Sequence, residues 1–396
     1  MKGILYITYD GLLDPVARSQ VLPYLKKLAS REFNISVISF EKNDKLERHA
    51  ALDARKDELK GSGIGWFLLR YHKRPAIPAT IMDIFSGYFT GIRCMLKNNV
   101  KIIHARGYIP ALIGVMLKGF SGRKLIFDMR GFWPDEKVDG GAWGRKSALY
   151  HLFNGIERFL VNRSDEVVVL SEAAMKRLKT NHPGARVTVI PCCVDLDLFG
   201  CKPGKSILPE NAKNRTVLIY LGSSGTFYDL EGSIAFFKYF KKIRKDAFFR
   251  VATNSDAEEV KGAVKNGGID PEDYAVENLD FADVPGALCG SDMSVMFYKR
   301  ELSGAGCSPI KFAESLSCGL PVVINSGIGD TGEIIEKEGI GVVLDNSPGN
   351  YERASREALA LVDGGDTVKK KCRAAAENYF SLASGVDKYM ELYQRL

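Results

Sequence analysis

The sequence predicts an α/β protein built from two doubly wound, parallel-sheet domains in series. Three observations carry that prediction. Short β-branched runs alternate with longer helical patterns, the alternation breaks after Pro191 and restarts at Thr216, and 396 residues exceed one ordinary core. Parallel strands need a crossover to bring the chain back, so runs and helical stretches take turns.

In the first half the predicted strands are Ile4 to Tyr9, Ile35 to Phe40, Gly65 to Arg70, Lys101 to Ala105, Lys124 to Met129, Glu166 to Leu170 and Val187 to Pro191. Helical patterns lie near Ser19 to Ser30, Thr80 to Lys97, Ile109 to Lys118, Gly144 to Asn162 and Ser171 to Lys179. The stretch CCVDLDLFGCKPGKSILPENAKN, rich in Gly, Pro and polar residues, reads as a linker.

Beyond it strands are predicted at Thr216 to Leu221, Phe248 to Thr253, Tyr274 to Val276, Met293 to Tyr298, Pro321 to Asn325 and Gly341 to Leu344. Helices separate them near Leu230 to Ile243, Asp256 to Asn266, Val284 to Cys289, Pro309 to Cys318 and Ser355 to Asp363. The tail from Ala374 carries apolar residues at helical spacing over its later part. The domains expected are therefore 1–195 and 196–379, with a helix of about 380–396 packing back on the first. Ligands of open α/β sheets sit beyond the carboxyl ends of the strands, so two facing sheets are expected to place a site in the cleft between them.

Hydrophobic content of 45% with 26% charged residues is that of a soluble globular chain. The net charge of +7 is spread in short groups such as Lys241-Lys242 and Lys369 to Lys371, mostly solvated helix faces. A weak basic face toward anionic lipid or a pyrophosphate-bearing acceptor is the functional counterpart. No nucleic-acid-binding motif is present, and no GxGxxG follows the first strand as a dinucleotide dehydrogenase would require.

The eight cysteines lack the CxxC pairs of a metal site and the density of a disulfide scaffold, so a reducing cytoplasm is the expected home. The opening MKGILYITYDG reads as a strand and not as a signal peptide. No stretch approaches the roughly 20 apolar residues of a membrane-spanning helix.

The most informative segment is SPIKFAESLSCGLP, from Ser308 to Pro321. Ser308 followed by Pro309 forecasts an N-cap and a first helical position, and the free amides and positive end of such a helix suit a pyrophosphate. Lys311 in the first turn adds a full positive charge, and Glu314 three residues later shares its side of the helix. A carboxylate there can accept from two neighbouring hydroxyls, as a ribose offers. An exposed ion pair is the plainer reading of the spacing alone.

The whole run SGAGCSPIKFAESLSCGLPVVINSGIGDTGEII resembles the donor-binding segment of the retaining family 4 glycosyltransferases. YDGLLDPVARSQVLPYLKKLA, IHARGYIP, FDMRGFWPDE, IPCCVDLDLF and YLGSSGTFYDL resemble further family segments in the same order, so the resemblance covers most of the chain. It implies the GT-B fold, two Rossmann-like domains facing each other across a cleft, and a nucleoside diphosphate sugar as substrate with no metal or other cofactor.

It also implies roles for residues. Glu314 holds the ribose hydroxyls, and Lys311 with the helix amides meets the charge developing on the departing diphosphate, with Arg300 or Lys299 as helpers. The family's usual first acid lies eight residues before the glutamate, where this chain has Gly306, so the sugar contact falls to backbone amides of Ala305, Gly306, Cys307 and Ser308. The turn Gly222-Ser223-Ser224-Gly225-Thr226 lacks the basic residue common in the family, but its small residues let backbone approach a phosphate. Asn278 and Leu279 stand where the family packs the base.

On the acceptor side Asp10 and Gly11 follow the first strand, and Arg18 stands where relatives often carry an uncharged residue. His104 and Arg106 end the fourth strand and Asp128 and Arg130 the fifth, four polar residues expected to line a solvated cleft. Asp128 takes the position of a histidine that lies close to the transferred sugar in many relatives. Trp133, Asp135, Glu136 and Asp139 are read as a loop too acidic for a core and suited to sugar hydroxyls.

The catalytic expectation therefore rests on Asp128, Lys311 and Glu314. The function implied is retaining transfer from a UDP-type sugar nucleotide to a saccharide or lipid-linked acceptor in bacterial surface polysaccharide synthesis. It implies a cytoplasmic place at the inner membrane face with weak peripheral membrane contact. A GT-B sugar-nucleotide epimerase and a non-catalytic nucleotide-sugar-binding module are the alternatives, the latter suggested by Gly306.

Overall fold

A computed structural model describes residues 1–42, 49–72, 74–202, 204–225, 227–345 and 350–396. The chain divides into two compact units, one of Met1–Asp135, Trp143–Pro191 and Leu382–Leu396, the other of Glu136–Ala142 and Cys192–Ser381. Each unit is a parallel sheet flanked by helices.

The first sheet consists of β1 (Lys2–Thr8), β2 (Phe33–Glu41), β3 (Gly65–Arg70), β4 (Val100–Arg106), β5 (Lys124–Asp128), β6 (Glu166–Val169) and β7 (Val187–Val189). Their order is β3-β2-β1-β4-β5-β6-β7. β1 lies at the centre and pairs in parallel with β2 and β4, Leu5 opposite Ser36 on one side and Ile103 on the other. Helices cover both faces, so Ile4, Leu5 and Ile7 are all buried and the strand reads as a continuous apolar run instead of an alternating one.

The second sheet holds β8 (Thr216–Leu221), β9 (Ala247–Ala252), β10 (Tyr274–Glu277), β11 (Met293–Met296), β12 (Val322–Asn325) and β13 (Gly341–Leu344), in the order β10-β9-β8-β11-β12-β13. One side packs Leu218, Phe237, Phe249 and Val323, the other Ile219, Phe312, Leu316 and Ile324. Fully buried Arg250 on β9 pairs with Glu277 at 2.9 Å and donates to the carbonyls of Ile207 and Ala287, tying the linker to the sheet.

Every predicted strand has its counterpart; the differences lie among helices and cysteines. A helix His49–Gly61 precedes β3, and Thr331–Glu338 forms a further helix. The acidic stretch read as a loop is a helix, Trp133–Asp139. Asp135 within it is buried, paired with Arg177 and accepting from the Tyr150 hydroxyl at 2.8 Å.

The tail is two helices, Gly365–Phe380 and Leu382–Arg395, broken at Ser381, which bridges Val194. Cys201 and Cys289 form a disulfide with Cα atoms 5.4 Å apart, and the Cys318 sulfur lies within 4.8 Å of both sulfurs. The two cysteines stand 88 apart in sequence, so no local spacing marks the pair. Among the described residues no helix is long and apolar enough to cross a membrane.

Candidate functional site

In the second unit the strand order reverses at the β8 and β11 pair, the switch point where open α/β sheets hold ligands. The Gly222 to Ser224 turn leaves β8. The Gly222 N–H donates to Ala252 at 3.0 Å, the Ser224 N–H to the Ser255 hydroxyl at 2.9 Å, and the Tyr220 hydroxyl to the Ser223 carbonyl at 2.7 Å. A Cβ at Gly222 would stand 3.1 Å from the Tyr228 ring and 3.2 Å from the Tyr220 hydroxyl, so glycine lets this turn close on its neighbours. Thr226, read with this turn, lies outside the described residues. Asn278 follows β10 and is exposed, while Leu279 packs at the margin of the core.

The helix predicted from Ser308 runs Ile310–Ser317 with Pro309 at its cap. Ser308 does not cap it, because its hydroxyl accepts the Cys192 N–H at 3.1 Å. Lys311 keeps its place in the first turn, its ammonium 5.4 Å from the centre of the Tyr228 ring, which in turn lies 5.2 Å from that of Tyr298.

Glu314 is buried in the next turn, and its carboxyl has no hydrogen-bond partner among the described residues. Burial pushes its pKa up to about 7, against the pull of the Lys311 charge. Just before the helix, the amides of Gly306 and Cys307 are engaged in a tight turn, donating to Ser303 and Gly304 at 2.9 Å. Two of the four amides expected to serve the sugar are thus already occupied.

Arg300 follows β11. Its guanidinium donates to Glu136 at 3.1 Å and to the Ser303 hydroxyl at 3.4 Å and lies 4.2 Å from the centre of the Phe227 ring. Burial works against its charge, but nearby Cys307 and Glu136 outweigh that and raise its pKa. Glu136, read as an acceptor-side residue, belongs with this second unit. Asp139 beside it accepts the N–H groups of Leu302 and Ser303 and the Ser303 hydroxyl.

In the first unit the order reverses at β1 and β4, and the acceptor-side residues gather at the carboxyl ends of β1, β4 and β5. Asp10 is exposed, with one oxygen 3.5 Å from Arg106 Nε. Gly11 is buried, and a Cβ on it would stand 2.5 Å from the Glu41 carboxylate. Arg18 points outward, exposed.

His104, Arg106 and Asp128 do not line solvent as expected; all three are buried. The reason is the returning C-terminal helix. Tyr393 brings its hydroxyl to His104 Nδ1 at 2.6 Å, and the Tyr389 hydroxyl donates to Asp128 at 3.2 Å. Arg106 and Arg130 each stand 3.8 Å from the Asp128 carboxylate and both donate to Gln20, at 3.2 and 2.7 Å.

Burial pushes Asp128 up, yet Arg130, His104 and Arg106 outweigh it and hold its pKa at about 2. Burial lowers the pKa of His104, against the pull of the Asp128 carboxylate. The cavity beside them, about 10 Å³, has room for a water at most and none for a sugar.

Residues 20–198 match the sequence profile of Glycosyltransferase Family 4. No curated protein sequence matches the chain. Among solved structures, sucrose-phosphate synthase from Thermosynechococcus elongatus is similar with a TM-score of 0.74 at 13% identity, over 100% of this chain and 99% of that one. HepE from Anabaena, solved with UDP and glucose, has 0.69 at 13% over the full length of both. A glycosyltransferase from Rickettsia africae has 0.69 at 17%, over 100% and 98%. At such identities these likenesses speak for the fold.

The chain has the GT-B fold, and its residues 20–198 are related to glycosyltransferase family 4. Glycosyl-transfer chemistry in a two-Rossmann-domain frame follows from that relation.

The GT-B protein also uses residues that sequence reasoning passed over. Glu41, fully buried at the end of β2, accepts the Leu12 and Leu13 N–H groups at 2.6 and 3.3 Å and so shapes the loop after β1. Gln20, Tyr389 and Tyr393 are likewise placed by long-range contacts. Nothing local marks any of the four, since each depends on a partner far along the chain.

Proposed function

We propose that this GT-B protein moves a glycosyl group, with its anomeric configuration retained, from a nucleoside diphosphate sugar to a saccharide or lipid-linked acceptor. The observation that carries the donor half is Glu314, a buried carboxyl with no hydrogen-bond partner among the described residues, one turn after Lys311. Burial disfavours the charged form of this carboxyl, and two ribose hydroxyls donating to it would recover that loss. Lys311 and the first amides of helix Ile310–Ser317 take the charge of the departing diphosphate. The Gly222 to Ser224 turn borders the phosphates, and Asn278 with Leu279 borders the base.

In this reading Asp128 acts by holding Arg106, Arg130 and His104 in place rather than by touching the sugar. UDP is the preferred nucleotide, in line with the UDP bound to the Anabaena protein of like fold. Retention, a role in bacterial surface polysaccharide synthesis and a place at the cytoplasmic face of the inner membrane come from the resemblance of the Ser303 to Ile335 run to the retaining enzymes.

A thermal-shift and hydrolysis screen across UDP-, GDP- and dTDP-sugars tests the reading, with Glu314→Gln run alongside. One sugar nucleotide should raise the melting temperature of the parent and do so far less in the variant. If no sugar nucleotide shifts the parent, or the variant binds the preferred one equally well, the assignment fails.

A further inference from the structure

Three cysteines from separate parts of the second unit bring their sulfurs together. Cys201 lies in the linker, Cys289 ends helix Val284–Cys289, and Cys318 follows helix Ile310–Ser317 as its C-cap. The three sulfurs all lie within 4.8 Å of one another. Among the described residues no other three metal-ligating side chains converge in this way. No CxxC marks the group in the sequence, because each sulfur comes from a different element. The Cys201–Cys289 disulfide uses two of the sulfurs and leaves the third, on buried Cys318, beside the bond.

Hydrogen bonds hold the chain around each sulfur independently of that bond. Ahead of Cys201, the Arg373 guanidinium donates to the Leu196 and Phe199 carbonyls at 3.1 and 2.9 Å and to the Ser317 carbonyl at 3.0 Å. It thereby joins the linker to the residue before Cys318. Beyond Cys201, the Ile207 N–H donates to the Gly286 carbonyl at 2.9 Å, and Arg250 donates to the carbonyls of Ile207 and Ala287 at 2.5 and 3.2 Å. These bonds join the linker to the helix that ends at Cys289. A Cβ on Gly290 would stand 2.5 Å from the Ile207 carbonyl oxygen, so glycine lets the linker lie close against that helix end. Opening the disulfide therefore leaves three thiols already gathered.

Gathered thiols are a soft donor set, suited to zinc and not to magnesium or calcium. A zinc–sulfur bond is about 2.3 Å long, so sulfurs on one tetrahedral ion stand about 3.8 Å apart. A short closing movement brings the present cluster to that spacing. Cys201 is exposed and Cys289 lines an open cavity of about 550 Å³, which gives an ion its entry and a water the fourth position. Arg373, bonded next to Cys318, sets a cation beside the negative charge that three thiolates leave around a divalent ion.

We propose that the reduced protein binds one Zn²⁺ through Cys201, Cys289 and Cys318, the disulfide being the metal-free form of the same site. A dithiol reductant delivers two electrons and two protons to the Cys201–Cys289 bond and leaves as its own cyclic disulfide. The ion then takes the three sulfurs and releases their three protons. Once bound, it ties the linker to the end of the helix that carries Lys311 and Glu314. The site uses none of the residues assigned to the sugar nucleotide and stands apart from that reading.

The test takes the full chain in two forms, air-oxidised and reduced with dithiothreitol, the reductant removed by gel filtration without oxygen. Each is titrated with Co²⁺ as a coloured stand-in and then with Zn²⁺. The reduced parent should take one Co²⁺ per chain, with thiolate-to-cobalt absorption and the visible bands of a four-coordinate ion, and Zn²⁺ should displace it. Groups that merely support a metal ligand are worth about 10–100-fold in affinity, so loss of a ligand should cost about a hundredfold or more. The oxidised parent and reduced Cys201→Ser and Cys318→Ser should all show that loss, while Cys94→Ser, in the first unit, should bind as the parent does. Circular dichroism checks each fold, and oxidised Cys318→Ser keeps the disulfide, so its folding is read apart from the ion.

No Co²⁺ or Zn²⁺ on the folded, reduced parent overturns the proposal, as does equal binding by Cys318→Ser and the parent. Loss of the fold on reduction also overturns it, because the thiols would then not stay together. Cys318 recovered in a disulfide after re-oxidation of a parent that bound no ion gives the cluster to thiol exchange instead.

Discussion

The Asp139 carboxylate accepts both the backbone N–H and the side-chain hydroxyl of Ser303, at 2.8 and 2.7 Å, with the Leu302 N–H at 3.1 Å on the same group. One anion therefore fixes the stretch between Arg300 and the turn that leads to Lys311. Charge-assisted bonds of this kind are the strong ones, and their loss leaves amides without an acceptor.

Asp139→Ala should cost about 2–3 kcal/mol, read as a lower urea midpoint at unchanged slope. Asp139→Asn, which keeps an acceptor but not the charge, should cost less. If the stretch also positions the donor site, sugar-nucleotide affinity should fall in the alanine variant more than in the asparagine one.

Gly11 and Glu41 exclude any side chain at the first position. A Cβ on Gly11 would stand 2.5 Å from a carboxylate that is fully buried and already bonded to the Leu12 N–H and the Ser39 hydroxyl. Gly11→Ala should destabilise by about 1–3 kcal/mol through overpacking. The cost should shrink in a Glu41→Ala background, although that change is itself destabilising. A double-mutant cycle by urea unfolding reads the coupling, and strict additivity would refute the clash.

Asp128 is the buried anion that faces Arg106, Arg130 and His104, so its removal takes the buried counter-charge away from Arg106. Asp128→Ala should cost about 3–5 kcal/mol, and Tyr389→Phe, which removes one hydrogen bond, about 1 kcal/mol. The carboxyl is held at about 2, below its ordinary value of 3.8. A depressed folded pKa means stability that is present above 3.8 and lost as pH falls through about 2. Acid unfolding of the parent should show that loss, and Asp128→Asn should lack it.

The strands were legible because burial on both faces writes them as unbroken apolar runs, Ile4 to Ile7 and Val322 to Ile324 among them. Lys311 and Glu314 were legible for a different reason: they share one short helix, so their spacing alone brings them together. The helix Trp133–Asp139 was not, because its acids looked solvated and the partner of Asp135, Arg177, lies 42 residues away. His104 and Asp128 looked solvent-facing because Tyr389 and Tyr393 arrive from the far end of the chain. Cys201 and Cys289 met the same obstacle at a separation of 88. Contacts set by local periodicity can be read from sequence; polar contacts closed by distant segments carry no local mark.

The burial of Glu314 makes a pH prediction with a definite sign. Its pKa is raised from an ordinary 4.5 to about 7 because the charged form loses water, and the folded protein therefore binds a proton more tightly than the unfolded chain. That stability is fully present below about 4.5 and is lost as pH rises through about 7. Glu314→Gln should flatten this part of the stability curve and, without ligand, should be more stable than the parent at pH 8 by about 1–3 kcal/mol. Hydroxyl groups donated by a ribose would favour the carboxylate, so donor binding near pH 6.5 should release a proton. Titration calorimetry in buffers of different ionisation enthalpy measures that release directly, and the same heat in every buffer would show that Glu314 does not meet the donor.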